Sequence, residues 1–156
     1  MRFETTTREA DLQRIKEWIA ADEYHNTKNF SDEFFLTGFG ALCFRVDDSV
    51  GPTMYIRIET DAVEPKHCRA HIQFAPPEIV SPRRVAVALL QTLPVMVEHF
   101  QQKGFEAMLF ESMAPKLIGF FEKKGFVPVD GTDDFILKFA AKAACSTEQE
   151  CVTAHE

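Results

Sequence analysis

Leu117-Ile118-Gly119-Phe120-Phe121-Glu122-Lys123-Lys124-Gly125-Phe126 reads as a short apolar helix with a hard stop. Pro115 lacks an N–H and suits the first turn of a helix, and Gly125 can take the left-handed backbone that ends one. Phe126 then anchors the start of a strand from Val127 to Val129. The same punctuation stands upstream in Lys103-Gly104-Phe105. Two independent glycine caps, each followed by an apolar anchor, explain this likeness better than an internal repeat does.

The helix that stops at Gly104 starts at Ser81-Pro82, with Ser81 as N-cap. Val85, Leu89, Leu93, Met96 and Phe100 form its apolar stripe down to Lys103. Pro94 lies inside and should remove one hydrogen bond and kink it. Ala107 to Phe110 follows as a buried strand. Before the helix, Met54, Ile56 and Ile58 alternate with Tyr55, Arg57 and Glu59, and Ala70, Ile72 and Phe74 alternate with Arg69, His71 and Gln73. Paired antiparallel, Ile58 faces Ala70, Ile56 faces Ile72, Met54 faces Phe74, Arg57 meets His71 and Glu59 meets Arg69. Apolar opposite apolar, and Glu59 opposite a cation, support that register.

Further out, Ala41 to Val46 is a strand ending in the turn Asp47 to Pro52, and Arg2 to Thr5 is another. Thr6 and Glu9 have capping-box spacing before a helix from Arg8 to Asp22 that carries Leu12, Ile15, Trp18 and Ile19. Ser31-Asp32-Glu33, with Phe34, Phe35 and Leu36 behind it, predicts a short helix or a packed loop. Phe135 to Phe139 is the last strand, after an Asp130-Gly131 turn. The unit from Arg69 to Phe110 predicts a right-handed parallel crossover. The fold class is therefore α/β (α+β): a mixed, mostly antiparallel sheet of about six to seven strands with helices on both faces. Residues 1–139 make one domain, and 140–156, small and polar, read as a mobile tail.

The 156 residues carry a net charge of −7, which argues against general nucleic-acid binding. No apolar run approaches the ~20 residues of a membrane span, and the first residues form no signal peptide. Fifteen Phe against one Trp and two Tyr predict a core of phenyl rings. Four cysteines without scaffold density fit a reducing cytoplasm. Cys43 and Cys68 read as buried, inert thiols, and Cys145, Cys151 and His155 lack the fourth ligand and close spacing of a zinc site, so no metal is expected. Arg83 and Arg84 stand at a helix N-terminus, where the dipole disfavours cations by roughly 0.3–1 kcal/mol. Two of them there read as solvated surface arginines or, with the rest of the chain, as the seat of an anion such as a phosphate.

The element order, with Phe74-Ala75-Pro76, the Arg-Arg helix start, Ala107 to Glu111 and Leu117 to Phe126, resembles the GNAT family of acyl-CoA-dependent N-acyltransferases across Arg2 to Phe139. The resemblance implies acyl transfer from acetyl-CoA to a small-molecule or peptidic amine by direct attack, in a monomer or homodimer. It places Phe74, Ala75, Ser81, Arg83, Arg84, Val85, Ala86, Ser112 and Phe121 at the coenzyme A site. A β-bulge near Phe74 is expected to present an N–H. Ala86 stands where the family's phosphate loop has its first glycine, Ala114 where an Asn is common, and Phe121 where a Tyr often protonates the thiolate. These departures leave a second outcome open, a silent module that binds a ligand or partner in the same cleft.

Direct transfer needs a base, and the titratable groups expected on the sheet's polar face or at the cleft are Glu59, His71 and Glu111. His71 has the suitable intrinsic pKa, and Glu111 ends a strand beside the expected cleft. Glu59 reads as a salt-bridge partner of Arg69 before it reads as a base.

Overall fold

The computed structural model describes residues 1–25, 31, 33–38 and 40–140. The expected tail, with Cys145, Cys151 and His155, lies outside them from residue 141 onward, as do parts of the segment after Tyr24-His25.

The described chain runs β1 (Arg2–Thr5), α1 (Arg8–Ala21), β2 (Ala41–Asp47), β3 (Pro52–Thr60), β4 (His67–Phe74), α2 (Pro82–Gln102), β5 (Ala107–Glu111), α3 (Pro115–Glu122), β6 (Val127–Pro128) and β7 (Asp134–Lys138). Seven strands form one sheet in the order β1-β2-β3-β4-β5-β7-β6. Only β4 and β5 are parallel. Every cross-strand pair expected between β3 and β4 is present, from Met54 opposite Phe74 to Glu59 opposite Arg69. Matching polarity on both faces fixes that register, since a one-residue slip would turn the apolar row to the polar side.

The sheet is covered on both faces. On one, β3 and β4 present Ile56, Ile58, Ala70 and Ile72 to Leu89, Leu93, Met96 and Phe100 of α2. Phenyl rings fill the rest of that core: Phe121 of α3 stacks on Phe110 with centroids 4.1 Å apart, and Phe126 meets it edge-on at 4.9 Å. On the other, Ile15 and Trp18 of α1 pack with Phe35, Tyr55, Ala75 and Val80. The two glycine caps are built alike. Gly104 and Gly125 both sit at φ +93°, and Phe105 and Phe126 each return an N–H to a carbonyl five residues back at 3.1 Å.

One expectation shifts, and one open alternative closes. The cap of α1 is Thr7, whose hydroxyl accepts from the Ala10 N–H, while Asp11 accepts from the Thr7 N–H at 2.9 Å. Thr6 is instead buried, donating to the Phe35 carbonyl at 2.8 Å. Asp11 is buried too, and takes hydrogen bonds from the Tyr55 hydroxyl and Arg45, which is how α1 docks a carboxylate against the sheet. The region around Phe34-Phe35-Leu36 is a packed turn rather than a helix, with Phe35 fully buried.

Candidate active site

The β4–β5 ladder stops early. It pairs His67 with Ala107 through Ala70 with Phe110, and no β5 residue stands opposite His71 to Phe74. Which backbone groups this exposes follows from alternation along the strand. The Ala75 N–H and the His67 carbonyl both bond toward β3, so odd-numbered residues of β4 face β3 and even-numbered ones face β5. The N–H groups of Ile72 and Phe74 therefore point into the gap. The expected bulge near Phe74 is absent, since pairing runs regularly through Met54–Phe74 and the shift in the sheet lies at Val46/Asp47. The parting of β5 turns these N–H groups outward without a bulge.

The gap widens into a cleft of about 470 Å³. From the expected cofactor set, Phe74, Ala75, Val85, Ala86 and Ser112 line it, joined by Leu89, Phe110, Leu117 and Phe120. From the expected bases, His71 and Glu111 line it and Glu59 does not. Ser81, Arg83, Arg84 and Phe121 are not on its wall either. Phe121 is 1% exposed in the core, and its neighbour Phe120 takes the wall position.

Arg84 has an anion, and the anion belongs to the protein. Its guanidinium donates to both oxygens of Asp48, in the β2–β3 turn, at 2.8 and 2.8 Å. Arg84, together with the Val50 and Gly51 N–H groups, holds the Asp48 carboxyl well below the usual carboxylate range. Glu59 pairs with Arg57, at 2.6 Å, and with His71, at 3.2 Å, not with Arg69. Burial, the largest single influence, would raise its pKa, but the contacts with Arg57 and His71 together outweigh it and hold it low. Arg69 turns instead to Asp61 and Asp134. Burial pushes the His71 imidazole below its ordinary value, against the pull of Glu59. Burial pushes the thiols of Cys43 and Cys68 up to about 11 and about 12, so both are inert.

The sequence reading missed a pair on the α1 side of the cleft. Asp22, at the C-terminal end of α1, and His25 both line the wall. His25 Nδ1 lies 2.7 Å from Gln73 Oε1 and 3.2 Å from Asp22 Oδ2. Gln73, fully buried, donates through Nε2 to Asp22 at 3.0 Å and to the Phe74 carbonyl at 3.0 Å, which fixes its amide orientation. With two acceptors before it, Nδ1 carries the hydrogen, and in the neutral ring the lone pair sits on Nε2. Burial would raise the Asp22 pKa, but the His25, Tyr24 and Gln73 hydrogen bonds bring it down to about 2. No periodicity marks Glu23-Tyr24-His25, so only the return of β4 under α1 reveals the pair. Among the described residues no cluster is arranged to hold a metal ion, and no helix is long and apolar enough to cross a membrane.

This fold is that of the GNAT acetyltransferases. The ribosomal-protein-S18-alanine N-acetyltransferase of Escherichia coli matches at a TM-score of 0.64 and 12% identity, over 92% of this chain and 97% of that one. Tetrahymena GCN5 matches at 0.57 and 11%, over 90% and 97%. The PaiA N-acetyltransferase of Thermoplasma acidophilum, solved in complex with coenzyme A, matches at 0.58 and 17%, over 88% and 98%. No family model and no curated protein sequence matches the chain.

Proposed function

We propose that the protein is an acyl-thioester-dependent N-acyltransferase, using acetyl-CoA or a related donor and a small or peptidic amine. The parting of β4 from β5 carries this proposal, because it brings thioester-sized space, backbone donors and a histidine to one place. The amine nitrogen attacks the thioester carbonyl carbon. The oxyanion forms against the Ile72 or Phe74 N–H, where a fixed donor is worth more than water. The C–S bond then breaks and the thiolate leaves. His25 Nε2 takes the amine proton, with Asp22 positioning the ring and stabilising the imidazolium. His71 and Glu111 stand on the same wall as alternative bases. Solvent supplies the thiolate's proton, since Phe121 offers none.

The buried Phe121 and the occupied Arg84 favour a second reading, a silent binding module in the same cleft. Thermal unfolding with acetyl-CoA, coenzyme A and longer acyl-CoAs, run beside thiol release with a panel of amines, separates the two. A ligand at 100 times its dissociation constant adds about 2.7 kcal/mol of stability. Binding with thiol release supports the enzyme, and binding without release across the panel supports the module. No shift with any thioester up to millimolar concentration overturns the enzyme.

A further inference from the structure

Independently of the acyl-transfer reading, we infer that two copies of this chain associate edge to edge through β1, about a twofold axis at Phe3, so that one sheet runs through both.

The sheet ends in β1 on one side and in β6 on the other. β6 is a poor edge for pairing, because it is two residues long and its second residue, Pro128, has no N–H. β1 has four residues and no proline. Just after it, the Thr6 N–H goes to the Cys43 carbonyl at 3.2 Å, toward β2. By alternation the even-numbered residues bond inward, and the N–H and C=O groups of Phe3 and Thr5 point outward. No described segment pairs with that edge. Such an edge is a template for another strand.

The side chains say which strand fits. Phe3 is exposed on the α2 side, edge-on to Phe44 with centroids 5.8 Å apart. It borders a groove of about 300 Å³ that Leu42 and Val95 also line. Arg2 and Glu4 lie on the other face, with Arg2 Nε 3.2 Å from Glu4 Oε1. Set antiparallel to itself about Phe3, the stretch Arg2-Phe3-Glu4 is its own complement. Phe3 meets Phe3 of the second copy and exchanges both backbone hydrogen bonds with it. Arg2 meets Glu4 of the second copy, and Glu4 meets its Arg2. Centring the pairing on Arg2 or on Glu4 would set like charges opposite each other. The contact is isologous, as a twofold dimer requires. On the α2 side it joins the two grooves into one apolar floor. A four-residue strand makes a small interface, so the dimer is a weak one.

The test is sedimentation equilibrium of the full chain from about 1 to about 300 μM in ~0.15 M salt, with amide exchange followed on the same samples. The expected mass rises with concentration from that of one chain toward that of two. Protection rises with it at Phe3 and Thr5, while Glu4 and Thr6, bonded within the sheet, serve as the internal reference. Arg2→Glu and Glu4→Arg each set like charges across the axis and should weaken association about tenfold or more. Mixing the two variants restores it, because each then faces its complement, and the double variant Arg2→Glu/Glu4→Arg restores it within one chain. Mixing cannot repair a damaged fold, so recovery assigns the loss to the interface. A single chain's mass at every concentration overturns the inference. Slow exchange at Phe3 and Thr5 would then mean that another segment of the same chain covers the edge, and fast exchange that nothing does. A dimer that ignores both charge variants, or that the mixture fails to restore, uses another surface and overturns it as well.

Discussion

The two halves of β4 have one geometry and opposite uses. From His67 to Ala70 the strand is zipped to β5, its even-numbered backbone groups spent on the ladder and the side chains of Cys68 and Ala70 on the phenyl core. From His71 to Phe74 the partner has left, and the same backbone edge faces a cleft. What differs is not the strand but its neighbour. A sheet can place unpaired backbone donors in its middle only where two adjacent strands part. An exposed outer edge would present such donors to other chains instead. The zipped half should therefore answer to packing changes, and the parted half to changes in chemistry.

Phe121→Ala tests the zipped side hardest. It removes a fully buried ring that contacts Phe110 and Phe126, and should cost about 3–5 kcal/mol by denaturant unfolding. Phe120→Ala, one residue away on the cleft wall and only half-buried, should cost well under half of that. Equal costs would erase the distinction between the halves. His25→Ala is the counterpart on the parted side. It should lower kcat about a hundredfold or more, the usual share of a general base, and cost about 1–3 kcal/mol of stability, because it leaves the buried Gln73 Oε1 without the ring that faces it. A fall in stability without a fall in rate would make His25 structural.

Phe121→Tyr gives a finer cut. The ring at this position is 1% exposed within the apolar cluster, so an added hydroxyl is buried away from water. An unsatisfied buried hydroxyl costs about 1–3 kcal/mol. The variant should be less stable and no faster. A faster variant would show that the added hydroxyl reaches the thiolate, and that the two halves communicate through α3.

Local signals made the scaffold legible. Gly104 and Gly125 announce their helix ends because only the next residues decide a left-handed cap. The β3–β4 register follows because both faces vote the same way. The cleft was only partly legible. Nothing in Ala107 to Glu111 says that β5 leaves β4 after Phe110, because strand divergence is set by what packs on each side and not by alternation. Arg84 was read against an external phosphate because its true partner, Asp48, lies 36 residues earlier in a turn with no pattern linking them. The dipole reasoning was sound in asking for an anion and could not say whose. Asp22 and His25 were invisible for a related reason. Gln73, an ordinary inward position of a strand, is what gathers them, and that contact spans 48 residues to His25.

The smallest effect concerns His71, at the border between the halves. Its ring is held neutral by burial, while Glu59, Arg57 and Arg69 act on it from the sheet and Phe34 meets it edge-on at 5.1 Å. Its folded pKa is lowered, so between that value and the unfolded 6.5 the unfolded chain binds more protons. The sign follows: the contribution is complete above pH 6.5 and is lost as pH falls through the lowered value. Each unit of the shift is worth about 1.4 kcal/mol, so the total is modest. Unfolding free energies measured from about pH 7.5 down to about pH 5, in wild type and His71→Gln, should converge at the acid end as the wild type loses this contribution. A difference that instead grows toward acid would mean that His71 is protonated in the fold and paired with Glu59. The imidazole on the cleft wall would then be a cation, unable to take a proton from an amine.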